Sequence, residues 1–294
     1  MGTSPAASTS GGVTVMFAEQ TYTPYIVVLG LICIIFVLLY VRRTVQTPQL
    51  QEEMVIGNGQ TIGRREEQDD YFSTVISEGH TLAVVADGIS GLANGRLAST
   101  LAVTTFVREF MKMERYIKLQ EFFTRAAKLS NEVILKKLSG QSGGTTLACA
   151  IISYNHLYWG AVGDSIIALY RNGHLVNVNE KHTLSSLLEE QYLAGQISKQ
   201  EAMENPMGKR LINYLGFEGF KNIEIGEPIT LKKGDKIILC TDGVYNSLTE
   251  LELCEILEKP LSPNDAAEEI IHTIEGKGFK HQDNATIIIL EKSW

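Results

Sequence analysis

At five places in this 294-residue chain an aspartate stands beside a turn residue at the end of a strand-like run. These are Asp69 and Asp70 in RREEQDD, Asp87 in VVADGISG, Asp164 in AVGDS, Asp242 in LCTDG and Asp283 in QDNAT. An aspartate next to glycine usually does no more than start a turn, so one such motif says little. Five together constrain the fold. Carboxylates gathered in one site repel one another and titrate upward unless cations lie between them, so their convergence implies bound metal. Oxygen donors without Cys or His suit Mg2+ or Mn2+ rather than zinc.

Short runs rich in β-branched and aromatic residues predict strands over Tyr71–Ser77, Thr81–Ala86, Thr145–Ser153, His156–Val162, Ile166–Tyr170, His174–Val178, Lys236–Cys240 and Ala285–Leu290. Asn155 separates two of them, and Asn172-Gly173 is a type I′ hairpin signal because both positions tolerate positive φ. The expected connections are therefore antiparallel hairpins. Helical patterns cover about Leu97 to Met113 and Leu119 to Leu138, and two more helices follow Thr249 and Ser262. Thr249-x-x-Glu252 is a capping box, and Pro263 takes the first helical position after Ser262. Strands grouped with strands and helices with helices predict an α+β layered sandwich. Residues 182–217, with a Ser198-x-x-Glu201 box, read as an inserted flap subdomain.

The motifs, taken in order, resemble those of the PPM, or PP2C-like, family of metal-dependent serine/threonine phosphatases over about Met54 to Leu290. Arg65-x-x-Gln68-Asp69-Asp70 is similar to its opening R-x-x-[NEM]-[ED]-D, and Asp87-Gly88-x-x-Gly91 to its DGxxG. Gly143-Gly144-Thr145-Thr146 resembles the SG-[ST]-T strand entry, Gly163-Asp164-Ser165 the GDS, Thr241-Asp242-Gly243 the SDG, and Asp283-Asn284-x-Thr286 the DN-x-T. The resemblance implies an α-β-β-α four-layer sandwich with a binuclear Mn2+ or Mg2+ centre between the sheets. Asp87 would bridge both ions, Asp242 and Asp283 would hold one, and Asp69 with the Gly88 carbonyl the other. Asp164 would hold a third, weaker ion, Asp70 and Asn284 would support the site, and Arg65 would bind the substrate phosphate. Two ions about 3.5 to 4 Å apart acidify a shared water into a hydroxide that attacks phosphorus in line, so no protein nucleophile is required.

The chain departs from the family at three places. Ile89 stands where eukaryotic relatives often have a histidine that could protonate the leaving alkoxide, so metal-bound water is expected in that role. Ile166 replaces an arginine that often follows GDS, and Lys181-His182 replaces the flap's usual Asp-His pair. His182 reads as a loop contact rather than a catalytic group.

Ahead of this body, the segment between Glu19 and Arg42 carries no charge, and Tyr25 to Val41 is apolar almost throughout. At 1.5 Å per residue, roughly 17 to 20 helical residues just cross a ~30 Å hydrocarbon core. The expected organisation is a disordered tail over 1–24, one transmembrane helix over 25–41, a linker over 42–53 and a phosphatase domain over 54–294. Arg42 and Arg43 follow the apolar run while only Glu19 precedes it, which places the catalytic domain on the cytoplasmic side of the cell membrane.

A formal net charge of −8 argues against nucleic-acid partners. The four cysteines, Cys33, Cys149, Cys240 and Cys254, form no C-x-x-C pair, and none is followed six residues on by arginine, so phosphocysteine chemistry is not expected. The expected partners are phosphorylated proteins, and the expected role is opposition to a serine/threonine kinase at the membrane. Two readings compete with this one: a metal-binding pseudophosphatase acting as an adaptor, and a phosphatase dedicated to one regulatory phosphoprotein.

Overall fold

The structure, a computed structural model, describes residues 23–45, 54–89, 92–113 and 118–292, with side chains of 25–41 in the first of these. It divides into two units, Met1–Gln51 and Glu52–Trp294. In the first, helix α1 (Thr23–Val45) carries the apolar run. Most of the expected tail and linker lies outside the described residues. Among the described residues no helix is long and apolar enough to cross a membrane. The transmembrane helix expected from sequence is thus not established.

Among the described residues the second unit contains eleven strands. In one sheet the order is β1 (Met54–Thr61), β11 (Ala285–Lys292), β10 (Lys236–Cys240), β6 (Ile166–Arg171), β7 (His174–Asn177). In the other it is β2 (Tyr71–Ser77), β3 (His80–Ala86), β4 (Leu147–Ser153), β5 (His156–Val162), β8 (Glu224–Ile225), with β9 (Ile229–Thr230) also pairing β5. Every pairing is antiparallel. Asn172 and Gly173 both take positive φ at the β6–β7 hairpin, as expected.

Side-chain alternation produces the four layers. On β3, Ala83 and Val85 face the opposite sheet, where Ile237, Leu239, Ile288 and Leu290 meet them. Leu82, Val84 and Ala86 point the other way, onto helices α2 (Gly95–Met111) and α3 (Leu119–Leu138). Ile238, Cys240, Ile287 and Ile289 likewise face α7 (Glu250–Glu258) and α8 (Pro263–Gly276), together with the short α6 (Asp242–Tyr245). Sheets buried on both faces read as continuous apolar runs, although antiparallel sheets more often alternate. The flap holds α4 (Leu184–Leu193) and α5 (Lys199–Met203), and the Ser198 capping box is formed.

Several element ends shift by one or two residues from those expected, that of β4 among them. The expected strand from Thr145 starts at Leu147, because Thr145 N–H and C=O are spent on Leu215, tying the end of the flap to the sandwich.

Candidate metal centre

Strand register brings the acidic turns to one edge. Tyr71 pairs with Ala86, so Asp69 and Asp70 before β2 lie beside Asp87 after β3. Cys240 pairs with both Ile287 and Ile166, which draws Asp242 after β10 toward Asp283 before β11 and Asp164 before β6.

Bonds between motifs fix these turns. The Asp87 carbonyl accepts from Thr146 N–H (2.9 Å) and Thr145 Oγ1 (2.8 Å), and Asp87 N–H donates to Thr146 Oγ1 (3.0 Å). That is what the paired threonines of GGTT do. Gly88 N–H donates to the Asp69 carbonyl at 3.2 Å, and a Cβ on Gly88 would stand 2.5 Å from the Gly95 carbonyl carbon. Only glycine permits so close a backbone approach. Asn284 Oδ1 accepts from Asp69 N–H (2.8 Å), while its Nδ2 donates to the carbonyls of Ile62 (2.9 Å) and Glu67 (3.1 Å). Asn284 thus ties the opening loop to the turn that carries Asp283.

Asp70 lies beneath the site, 3 % exposed, with Oδ2 accepting from Thr241 (2.9 Å) and Thr286 (2.7 Å). Asp69 is half-buried and lines the same cleft as Arg96 in the first turn of α2.

Asp87, Asp164, Asp242 and Asp283 line one cleft of about 420 Å³, with Ile89, Thr146, Lys209 and Tyr214 also on its walls. Asp69 and Arg65 line an adjoining cleft of about 790 Å³, and Leu92 belongs to both. Arg65 Nη2 reaches Asp283 Oδ2 at 2.7 Å rather than Glu66 or Glu67. Gly91 lies outside the described residues.

The electrostatics follow from this crowding. Burial pushes the Asp87 carboxyl well above its ordinary value, and Asp70, Asp242, Asp164 and Asp283 push it further. Asp242 is raised to about 6, first by burial and then by Asp164 and Asp283, against a hydrogen bond with Asp87. Asp69 is raised by burial, and the Arg96 N–H opposes this.

The carboxylates line the cleft without closing on one point. Among the described residues no three His, Cys, Asp or Glu side chains are grouped tightly enough to hold a metal ion as they stand. The donor chemistry still fits divalent ions. Asp87 and Asp242 share the cleft, and the Asp242 charge pushes the Asp87 carboxyl up, a repulsion that a cation between them would relieve. Asp70 Oδ1, buried in the same cluster, has no hydrogen-bond partner.

Sequence reasoning missed Lys209, Arg210 and Tyr214 from the flap, because neither residue type nor spacing marks them, and it missed Tyr245, which donates to Asp164 at 3.2 Å. His182 is a loop contact as expected: its N–H donates to the Gly163 carbonyl (2.8 Å), and Nδ1 accepts from Gly163 N–H (3.2 Å).

Known proteins share this family and this fold. The family model for protein phosphatase 2C matches residues 59–274. The serine/threonine phosphatase stp of Listeria monocytogenes is 28% identical over 218 residues, covering 72% of this chain and 84% of its own. The fold of the S. agalactiae serine/threonine phosphatase superposes with a TM-score of 0.72 at 23% identity, over 82% of this chain and 100% of that one. The catalytic domain of the phosphatase PstP in complex with two manganese ions superposes with a TM-score of 0.64 at 22% identity, over 81% and 99%.

Proposed function

The chain belongs to the protein phosphatase 2C family and is a metal-dependent protein serine/threonine phosphatase; from that premise we propose that Asp69, Asp87, Asp242, Asp283 and the Gly88 carbonyl hold two divalent ions, Mn2+ or Mg2+. The observation that carries this reading is that strand register brings Asp87, Asp242 and Asp283 to the walls of one cleft. Four carboxylates nearly balance two divalent charges. When bound, the ions supply the Lewis acidity that activates water and neutralises charge on a phosphoryl group. The protein's own groups then bind and orient. Arg65 stands at the cleft rim, and a guanidinium has five N–H donors, so one bond to Asp283 leaves others for phosphate oxygens. Its charge offsets repulsion between a dianionic phosphate and the carboxylates. Ile89 on the cleft wall offers no proton, so the leaving alkoxide takes its proton from water.

Mn2+ titration calorimetry together with phosphothreonine-peptide hydrolysis tests the ligand set. Asp87→Asn and Asp242→Asn should each lose nearly all turnover and weaken Mn2+ binding. Full turnover after exhaustive chelation, or wild-type rates in either variant, would overturn it.

The finer reading of the N-terminal unit is that α1 anchors the enzyme as a single pass, with Arg42 and Arg43 on the cytoplasmic side beside the catalytic domain. Its support is that the described side chains from Tyr25 to Val41 are uncharged and exposed. The enzyme would then act on products of a serine/threonine kinase at the membrane. Carbonate-resistant membrane association of the full chain tests the anchor, and digestion of the catalytic domain from outside intact cells would reverse the orientation.

A further inference from the structure

Asp164 differs from the other carboxylates of the cleft in its neighbours. The largest charge effects on Asp87 come from other carboxylates. Those on Asp164 include the cations Lys181 and Lys209, which together with a hydrogen bond from Tyr245 oppose the effect of burial. Tyr245 Oη donates to both the carbonyl and Oδ2 of Asp164, each at 3.2 Å. The Lys181 ammonium sits on the face of that tyrosine ring, 3.4 Å from its centroid. A cation held against a ring face in this way is attracted by the ring quadrupole. Lys181 is half-buried, and its charge also acts on Asp242. The adjacent backbone is pinned, because the paired hydrogen bonds between His182 and Gly163 hold the flap entry against the turn that carries Asp164.

We propose that Lys181, held on the Tyr245 ring, supplies the positive charge near Asp164 that a third divalent ion would otherwise bring, so that the cleft holds two ions. The inference rests on the two-ion reading above and departs from the third site that the GDS motif implied. A tethered ammonium supplies the positive charge that Asp164 and Asp242 would otherwise draw from solution. A dication would have to enter against Lys181 and Lys209. It would also find Asp164 Oδ2 already engaged by Tyr245, whereas hard ions of this kind ask for about six oxygen ligands.

Counting bound Mn2+ by calorimetry and electron paramagnetic resonance on the full chain tests this independently of turnover. The wild type should saturate at two ions, with no weaker class at higher Mn2+. Lys181→Met, which keeps the stem on the Tyr245 ring but removes the charge, should gain a third, weaker ion; Lys181→Gln should do the same. Asp164→Asn in the Lys181→Met background should lose that ion again, and Lys181→Arg should stay at two. A third ion on the wild type, or two ions on both neutral variants with unchanged melting, would overturn the proposal. Fewer than two on the wild type would instead show that the two-ion reading has failed, and this inference with it.

Discussion

Arg65 Nη2 lies 2.7 Å from Asp283 Oδ2, so the arginine that opens the first acidic motif is paired with the carboxylate of the last. The bond spans 218 residues of sequence and raises the arginine's pKa, with that bond as the largest cause. Asp283 therefore already has a cation partner, while Arg65 remains about half exposed at the rim, where a phosphate would arrive.

Arg65→Ala should raise KM for a phosphothreonine peptide roughly tenfold, the value of one charge-assisted hydrogen bond of about 1.5 kcal/mol. Mn2+ affinity should stay the same or rise, because the variant removes a positive charge that competes for Asp283. Arg64→Ala should change neither quantity. Equal behaviour of the two variants, or a Mn2+ affinity that collapses with Arg65, would show that the arginine organises the carboxylates rather than the substrate.

Metal-free stability should fall as the pH rises. Asp70 is pushed up to about 7 and Asp242 to about 6, both first by burial. A carboxyl with a raised folded pKa incurs no penalty below its unfolded value of about 4, an increasing one above it, and the full one once the folded pKa is passed. For Asp70 alone the loss is on the order of 2–4 kcal/mol between about pH 4 and 7. In chelator the melting temperature should therefore be higher at pH 5 than at pH 7.5, and Mn2+ should reverse the trend. A metal-free melting temperature that climbs steadily over that range would refute the assignment.

Eight strands were legible because short β-branched runs survive burial on both faces. Strand β1 was not. Its sequence, MVIGNGQT, reads as a loop, yet the glycines are demanded by tertiary contact: a Cβ on Gly57 would lie 2.0 Å from the Pro263 carbonyl, and one on Gly59 would lie 2.8 Å from the Ala267 carbonyl oxygen. Packing under α8 overrides local propensity there. The strands β8 and β9, two residues each, are too short to carry a period. At the site every carboxylate was visible through its turn chemistry. The pairing of Arg65 with Asp283 and the flap residues Lys209 and Tyr214 were not, since both depend on long-range folding.

Gly57→Ala tests that account of β1. The added methyl meets backbone of α8, which cannot turn aside as a side chain could, so the cost should be about 3 kcal/mol or more, toward the severe end of overpacking. Gly276→Ala, with nothing within 4 Å of its added methyl, is the control and should be near neutral. Urea unfolding of both variants decides it, and two similar midpoints would mean that β1 does not pack as described.

Asp70 should prove to be a strut rather than a ligand. Its Oδ2 gathers the hydroxyls of Thr241 and Thr286, Thr241 Oγ1 accepts the Thr286 N–H at 3.0 Å, and Gln60 Nε2 donates to Thr286 Oγ1 at 2.9 Å. The network joins the opening loop to β1, β10 and β11, immediately before Asp242. Asp70→Ala strands two buried hydroxyls and should cost about 2–4 kcal/mol. Asp70→Asn keeps an acceptor and removes the buried charge, so at pH 7.5 it should cost much less. Because the network positions Thr241 and hence Asp242, Mn2+ affinity should fall in the alanine variant and largely survive in the asparagine variant. Urea unfolding and Mn2+ calorimetry on the pair separate the roles: loss of metal binding in Asp70→Asn with stability intact would make Asp70 a direct ligand instead.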